Sequence, residues 1–248
     1  MSRLLRLYCL LCILCTACTT HEAPIVNGWK QDNATTSDYR VQPGDTIYSI
    51  ALAFDIDYRE LAQANHLQEP YHLSKNEVLH LPSSKSQAAK PAVHAKTIRL
   101  TAEPQLAVAT AKTTQSTTKT VSQTIQGNWI WPTQGKVAQG FSNTSGGNKG
   151  INISGNLGQP IVAAATGKVV YTGASLPGYG NLIIIKHNDN QLSAYAFNKV
   201  IAVKEGQVVK AGQMIAKMGI DDAAKPMLHF EIRENGKPVD PMLYFKEA

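Results

Sequence analysis

The sequence predicts a multidomain chain: a small α+β unit of order βααβ, followed by a larger all-β unit. Three observations carry this. Apolar residues at helical spacing lie between two short alternating runs within 39–82, and from Trp129 onward β-branched runs alternate with Gly, Pro and Asn. Between the two, 83–128 is a stretch of Ala, Thr, Ser, Gln and Lys with no sustained apolar period. A length of 248 residues allows one or two domains, and a 43% hydrophobic content lets part of the chain bury a core.

The chain opens "MSRLLRLYCLLCILCTAC", in which Arg3 and Arg6 precede an apolar run from Leu7 to Leu14. That is the pattern of a secretory signal, too short to cross a bilayer as a stable helix. All four cysteines, Cys9, Cys12, Cys15 and Cys18, fall here. Their spacing resembles an iron–sulfur run, but the signal context favours another reading. Small Thr16 and Ala17 leading into Cys18 resemble the end of a lipoprotein signal. The resemblance implies removal of residues 1–17, acylation of Cys18, and an anchored N-terminal segment over 18–38. A chain that starts at Cys18 has no other cysteine, so its domains fold without disulfides. Thr19 in place of Asp resembles lipoproteins sorted to the outer membrane.

The net charge of +6 is uneven: zero over 1–38, −3 over 39–82, +5 over 83–128 and +4 over 129–248. No basic stripe is interleaved with aromatics, which excludes nucleic acid as the expected partner. The basic segment suits an anionic polymer or membrane surface, or serves as a solvated tether.

Within 39–82, a short strand Tyr39-Arg40-Val41 meets the turn Pro43-Gly44-Asp45. Asp45 or Thr46 can cap a helix whose apolar positions are Ile47, Ile50, Ala51 and Phe54. A second helix from Asp57 to Asn65 uses Leu61 and Ala64, and a strand Val78-Leu79-His80-Leu81 stops at Pro82. The "V-x-x-G-D-T-I-x-x-I-A" start, Asn65 and the closing apolar strand resemble a LysM domain. The resemblance implies binding of N-acetylglucosamine-containing glycan, here peptidoglycan, between the first strand–helix loop and the second helix–strand loop. Gly44, Asp45, Thr46, Asn65 and Leu67, within a region reaching Leu73, are the candidates it implies. Residues 83–128 are expected to be disordered, with too little apolar surface to offset ordering entropy. They would span roughly 35–40 Å as a flexible chain.

From Trp129, "GKVVYTG", "NLIIIKH", "LSAYAF" and "LHFEIRENGKPVD" read as strands, and continuous Ile183–Ile185 as one buried on both faces. The "G-x-V-x-x-G" pattern and "AKMG" also occur in biotinyl and lipoyl carriers, but Lys217 lacks the preceding Met. The segments "WPTQGKVAQGF", "GGNKGINIS", "GYGNLIIIKHND" and "MLHFEIRENGKPVDPMLY" together resemble a lysostaphin-like, or LytM, metallopeptidase domain over 129–248.

Active members of that family hold one zinc through an H-x-G-x-D pair and a late His, and use two further catalytic His. This sequence has Asn148 and Asn152 at the first pair, Met227-Leu228-His229 at the H-x-H, and Phe197 two residues after Tyr195. Catalytic zinc needs three such ligands and an open site for water. A lone imidazole with two neutral carboxamides does not supply them, and Phe197 and Met227 move no protons. The expectation is no metal, no cofactor, no catalytic residue and no peptidase activity. His229 is left as a relict ligand, a partner contact or a hydrogen-bonded strand residue, and His187, at a strand end, as a surface residue.

A lipoprotein signal, a LysM domain, a tether and a degenerate LytM domain in this order resemble the NlpD-type murein hydrolase activators. That resemblance implies a non-catalytic, peptidoglycan-binding lipoprotein of the outer membrane, facing the periplasm and enriched at the septum. Its implied partner is a periplasmic zinc-dependent N-acetylmuramoyl-L-alanine amidase. The candidate contact groove is Asn148, Lys149, Asn152, Tyr195, Phe197, Met227, His229 and Arg233, with Lys149 and Arg233 at its exposed rim. Each of these can instead be structural filler. The alternatives are a passive peptidoglycan-binding scaffold and a divergent zinc endopeptidase.

Overall fold

The computed structural model describes residues 37–82 and 129–245. The expected signal segment, Cys18, all but the last two residues of 18–38, and the linker 83–128 lie outside the described residues.

In the small unit, β1 (Asp38–Arg40) is followed by α1 (Ile47–Phe54), α2 (Tyr58–Ala64) and β2 (Val78–His80). The two strands pair antiparallel with Tyr39 opposite Leu79. Of the two capping candidates, Thr46 is the cap. Its hydroxyl accepts from the Ser49 amide at 3.2 Å while the Ser49 hydroxyl accepts from the Thr46 amide at 3.0 Å. Asp45 instead closes the turn, accepting from the Tyr39 hydroxyl at 2.6 Å and the Gln42 amide at 2.8 Å. Asp57 caps α2 by accepting from the Arg59 amide. Asp55 ends α1 at φ 54°, a left-handed position that Asp tolerates better than most side chains.

The large unit is one antiparallel sheet of ten strands. In chain order these are β3 (Lys136–Gln139), β4 (Ile151–Ser154), β5 (Pro160–Val162), β6 (Gly167–Gly173) and β7 (Asn181–Lys186). Then come β8 (Gln191–Ile201), β9 (Val208–Val209), β10 (Met214–Ile220), β11 (Pro226–Glu234) and β12 (Lys237–Val239). The spatial order is β3-β4-β11-β10-β8-β7-β6-β9, with β11 also pairing β8 and with β12 and β5 attached to β11 and β10. A bridge between Trp129 and Phe245 joins the two ends of the unit.

Strand alternation divides this sheet between two cores. Ile183, Ile185, Tyr195, Phe230 and Ile232 belong to a core confined to the large unit. Leu182, Ile184, Leu192, Ala194 and Ala196 belong to a second core, together with Ile50, Leu52, Tyr58 and Leu61 of the small unit. A small domain buries a modest share of its surface alone; here it completes its core on the face of its neighbour. Polar contacts edge the seam. The Tyr58 hydroxyl donates to the Asp189 carbonyl at 3.2 Å, and Lys186 lies 3.5 Å from Glu69 and 2.8 Å from Asp189. At Gly236, φ 76°, a Cβ would stand 2.3 Å from the Asp57 nitrogen and the Ile56 carbonyl carbon. The backbones meet there without room for a side chain.

His187 departs from the surface position expected of it. Its ring is half-buried edge-on against Trp129, with ring centroids 4.6 Å apart. Nδ1 lies 2.9 Å from the Thr166 carbonyl, to which it donates, leaving Nε2 at 2.7 Å to accept from the Ser193 hydroxyl. Burial disfavours the charged ring and lowers its pKa to about 4. The unfolded chain therefore binds a proton that the folded one refuses between pH 6.5 and about 4. The melting temperature should fall as pH drops through that window, and His187 should contribute no further fall below it. In His187→Asn the melt at pH 7 should be lower and this part of the profile flatter, as measured by thermal denaturation across pH.

Candidate functional site

Direct pairing across the sheet decides which side chains meet. His229 lies opposite both Ala196 and Asn152, Glu231 opposite Ala194, and Arg233 opposite Leu192. Cross-strand partners share a face, so His229, Glu231 and Arg233 stand on the side covered by the small unit. Tyr195 pairs with Phe230 and lies on the other side. There its hydroxyl accepts from the Ala164 amide at 2.8 Å. Tyr195 is thus not a groove residue: alternation along β8 turns it into the opposite core.

The remaining groove candidates do gather. Asn152 Oδ1 is 2.6 Å from His229 Nδ1, and its amide donates to Gln139 Oε1 at 2.8 Å. His229 Nε2 is 2.9 Å from Glu231 Oε1, which also accepts from the Tyr179 hydroxyl at 3.0 Å. Glu231 Oε2 accepts from Arg233 Nε at 2.7 Å, and Arg233 Nη1 reaches Asp55 Oδ1 at 2.6 Å. Lys149 Nζ stands 3.3 Å from the other Asp55 oxygen, and Lys237 Nζ donates to the Asp55 carbonyl at 2.8 Å. Asn148 donates to the Gly140 carbonyl at 3.1 Å. Phe197, at φ 62° beside a register shift in β8, places its ring 6.2 Å from that of His229. Met227, at the start of β11, is buried beside them.

Lys149 and Arg233 do not form an exposed rim. Lys149 is partly covered, and Arg233 is 1% exposed. A guanidinium so placed needs carboxylates around it, and Glu231 and Asp55 supply them. Burial alone would raise the Glu231 pKa, but Arg233 and His229 outweigh it and hold it down to about 2. Arg233 is held above its usual range, its two carboxylates outweighing the burial. Sequence reasoning missed Glu231, Tyr179, Gln139 and Asp55. For Glu231 a signal existed: it lies midway between His229 and Arg233 at strand spacing, so all three share a face.

The donor set does not fit zinc. Asn148 and Asn152 offer neutral carboxamides, and both His229 ring nitrogens face oxygen partners. Among the described residues no group of three or more His, Cys, Asp or Glu could hold a metal ion.

On the small unit, Asp45 and Thr46 line a cleft of about 570 Å³, together with Tyr48 and the loop Glu69–Leu73. Gly44, at φ 86°, makes the turn before it. Asn65 and Leu67 lie elsewhere. Asn65 donates to the Leu61 and His80 carbonyls and accepts from the His80 amide, bracing β2. Leu67 packs on the shared core.

Residues 39–82 match the LysM domain family and residues 146–241 match Peptidase family M23. Outer membrane antigenic lipoprotein B of Histophilus somni is 48% identical over 82% of this chain and 65% of its own length. Murein hydrolase activator NlpD of Escherichia coli is 39% identical over 85% of this chain and 68% of its own. The chain belongs to the NlpD-type murein hydrolase activator family. It spans about two thirds of the length of these relatives. Among solved structures, the antimicrobial peptidase lysostaphin from Staphylococcus simulans is 32% identical, with a TM-score of 0.41, over 44% of this chain and 48% of its own.

Glu231→Gln should be strongly destabilising, because it leaves the Arg233 charge buried with one carboxylate fewer. Breaking such a pair costs about 3–5 kcal/mol, readable as a loss of stability in urea titration at pH 7. Because the carboxyl pKa is depressed, the stability it contributes is present above its unfolded value of 4.5 and is lost as pH falls toward about 2.

Proposed function

We propose that this chain is a non-catalytic, outer-membrane lipoprotein that binds peptidoglycan through its small unit and activates a periplasmic N-acetylmuramoyl-L-alanine amidase through its large one. The observation that carries this reading is the state of the former metal position. Asn152 Oδ1 and Glu231 Oε1 stand at hydrogen-bond distance from the two nitrogens of His229, and Phe197 and Met227, at the positions the resemblance assigns to catalytic histidines, are buried. Such a site binds; it cannot activate water in the manner of a zinc centre. The name of one relative, murein hydrolase activator, supports a murein hydrolase as the partner class, and the LysM domain supports the wall as ligand.

The groove assigned to the amidase is also the place where the small unit docks. Asp55 meets Arg233, Lys149 and Lys237 there. A protein partner using Lys149 or Arg233 must first displace that unit. Activation is then a population shift toward an open form that the amidase binds better.

Dye release from purified sacculi tests this. The protein alone should release nothing, and amidase with the protein should release more than amidase alone. Release by the protein alone would establish an endopeptidase, and no stimulation would establish a passive scaffold. Asp55→Lys sets like charges against three bases and should raise stimulation several-fold at limiting protein. Unchanged stimulation by a variant whose small unit is detached would place the amidase contact elsewhere. Cys18→Ala should abolish lipid labelling and move the protein out of the outer-membrane fraction.

A further inference from the structure

The cleft beside the glycan loops has a second wall that the small unit does not provide. Opposite Asp45–Tyr48 and Glu69–Leu73 stand Lys168 and Val170 of β6, Lys186 of β7 and Glu205 of the large unit. The volume of about 570 Å³ falls within the roughly 300–1,000 Å³ of small-ligand sites. Tyr48 and Tyr71 meet edge-on within it, with ring centroids 6.2 Å apart. Both rings are partly buried, and aromatic faces that line a cleft suit the apolar faces of sugar rings.

The charges of the cleft are unevenly matched. Asp45 accepts from Tyr39 and Gln42, Glu69 lies against Lys186, and Glu205 accepts from the Thr172 amide at 2.9 Å. Lys186 is engaged by Asp189 and lies 5.2 Å from the Tyr58 ring centroid. Lys168 is exposed and has no ion pair among the described residues. It also sits directly opposite Lys186 across the β6–β7 register. Like charges directly opposite on neighbouring strands are destabilising, and a ligand anion placed between them would remove that repulsion.

We infer that this cleft is a composite site in which the small unit holds the N-acetylated sugar while Lys168 of the large unit takes a carboxylate of the peptide stem attached to it. This rests on the glycan-binding reading above and narrows it: the ligand is a stem-bearing strand rather than a bare amino-sugar polymer. It also makes the docked arrangement of the two units a condition of that preference, since opening the seam removes the second wall.

The test is titration calorimetry with the full mature chain in detergent. The probes are soluble peptidoglycan fragments that carry stems, and the same fragments with the stems removed enzymatically. The wild type should bind stem-bearing fragments about tenfold more tightly, the contribution of one charge-assisted contact in a half-enclosed cleft. Lys168→Glu should abolish the preference and keep the affinity for stripped fragments within twofold, and Lys168→Gln should fall between. Asp55→Lys, which opens the seam, should lose the preference with Lys168 intact. Equal affinity of the wild type for both probes, or a preference that survives Lys168→Glu, overturns the composite site and leaves the glycan reading standing. Failure of the wild type to bind either probe overturns both.

Discussion

Arg233 carries a permanent charge into a place with almost no access to water. A guanidinium cannot shed its proton to escape the cost, as a lysine can, so its surroundings have to be built for it. One carboxylate, Glu231, comes from its own strand, and the other, Asp55, comes from the small unit some 180 residues earlier in the chain. The first makes the strand face polar along a line running back to His229 and Asn152. The second makes that line complete only when the two units are docked. Hydrophobic burial supplies most of the adhesion across the seam, but it is not directional. The Arg233–Asp55 contact and the Gly236 approach fix where on the sheet the small unit lands.

Much of the fold was readable from the chain itself. Apolar spacing from Ile47 to Phe54 and the run Ile183–Ile185 give their elements directly, because local period and burial agree there. The identity of the cap was not decidable from sequence, since Asp45 and Thr46 are both good caps; the Tyr39 hydroxyl takes Asp45 for the turn. The site was half legible. Asn148 and Asn152 stand out as residue types against the resembling motif, but the same resemblance placed Tyr195 in the groove when the pleat turns it away. The burial of Arg233 was invisible for a different reason. It depends on a domain-to-domain contact, and nothing in the sequence near Arg233 encodes the position of Asp55.

The sheet face that meets the small unit is polar along a connected line. A chain of hydrogen bonds runs from Gln139 through Asn152, His229 and Glu231 to Arg233. Buried polar networks of this kind are costly when incomplete and confer definition when every member is paired. Aromatic and apolar groups at Phe197, Tyr179 and Met227 are buried in the same part of the sheet as the polar line.

The bridge between Trp129 and Phe245 brings the first and last described residues of the large unit side by side. The two ends of the described unit therefore meet within the core on the side of the sheet opposite the face bearing Arg233. The same proximity of ends makes the unit a natural subject for circular permutation, with new termini in an exposed loop such as the one carrying Leu157.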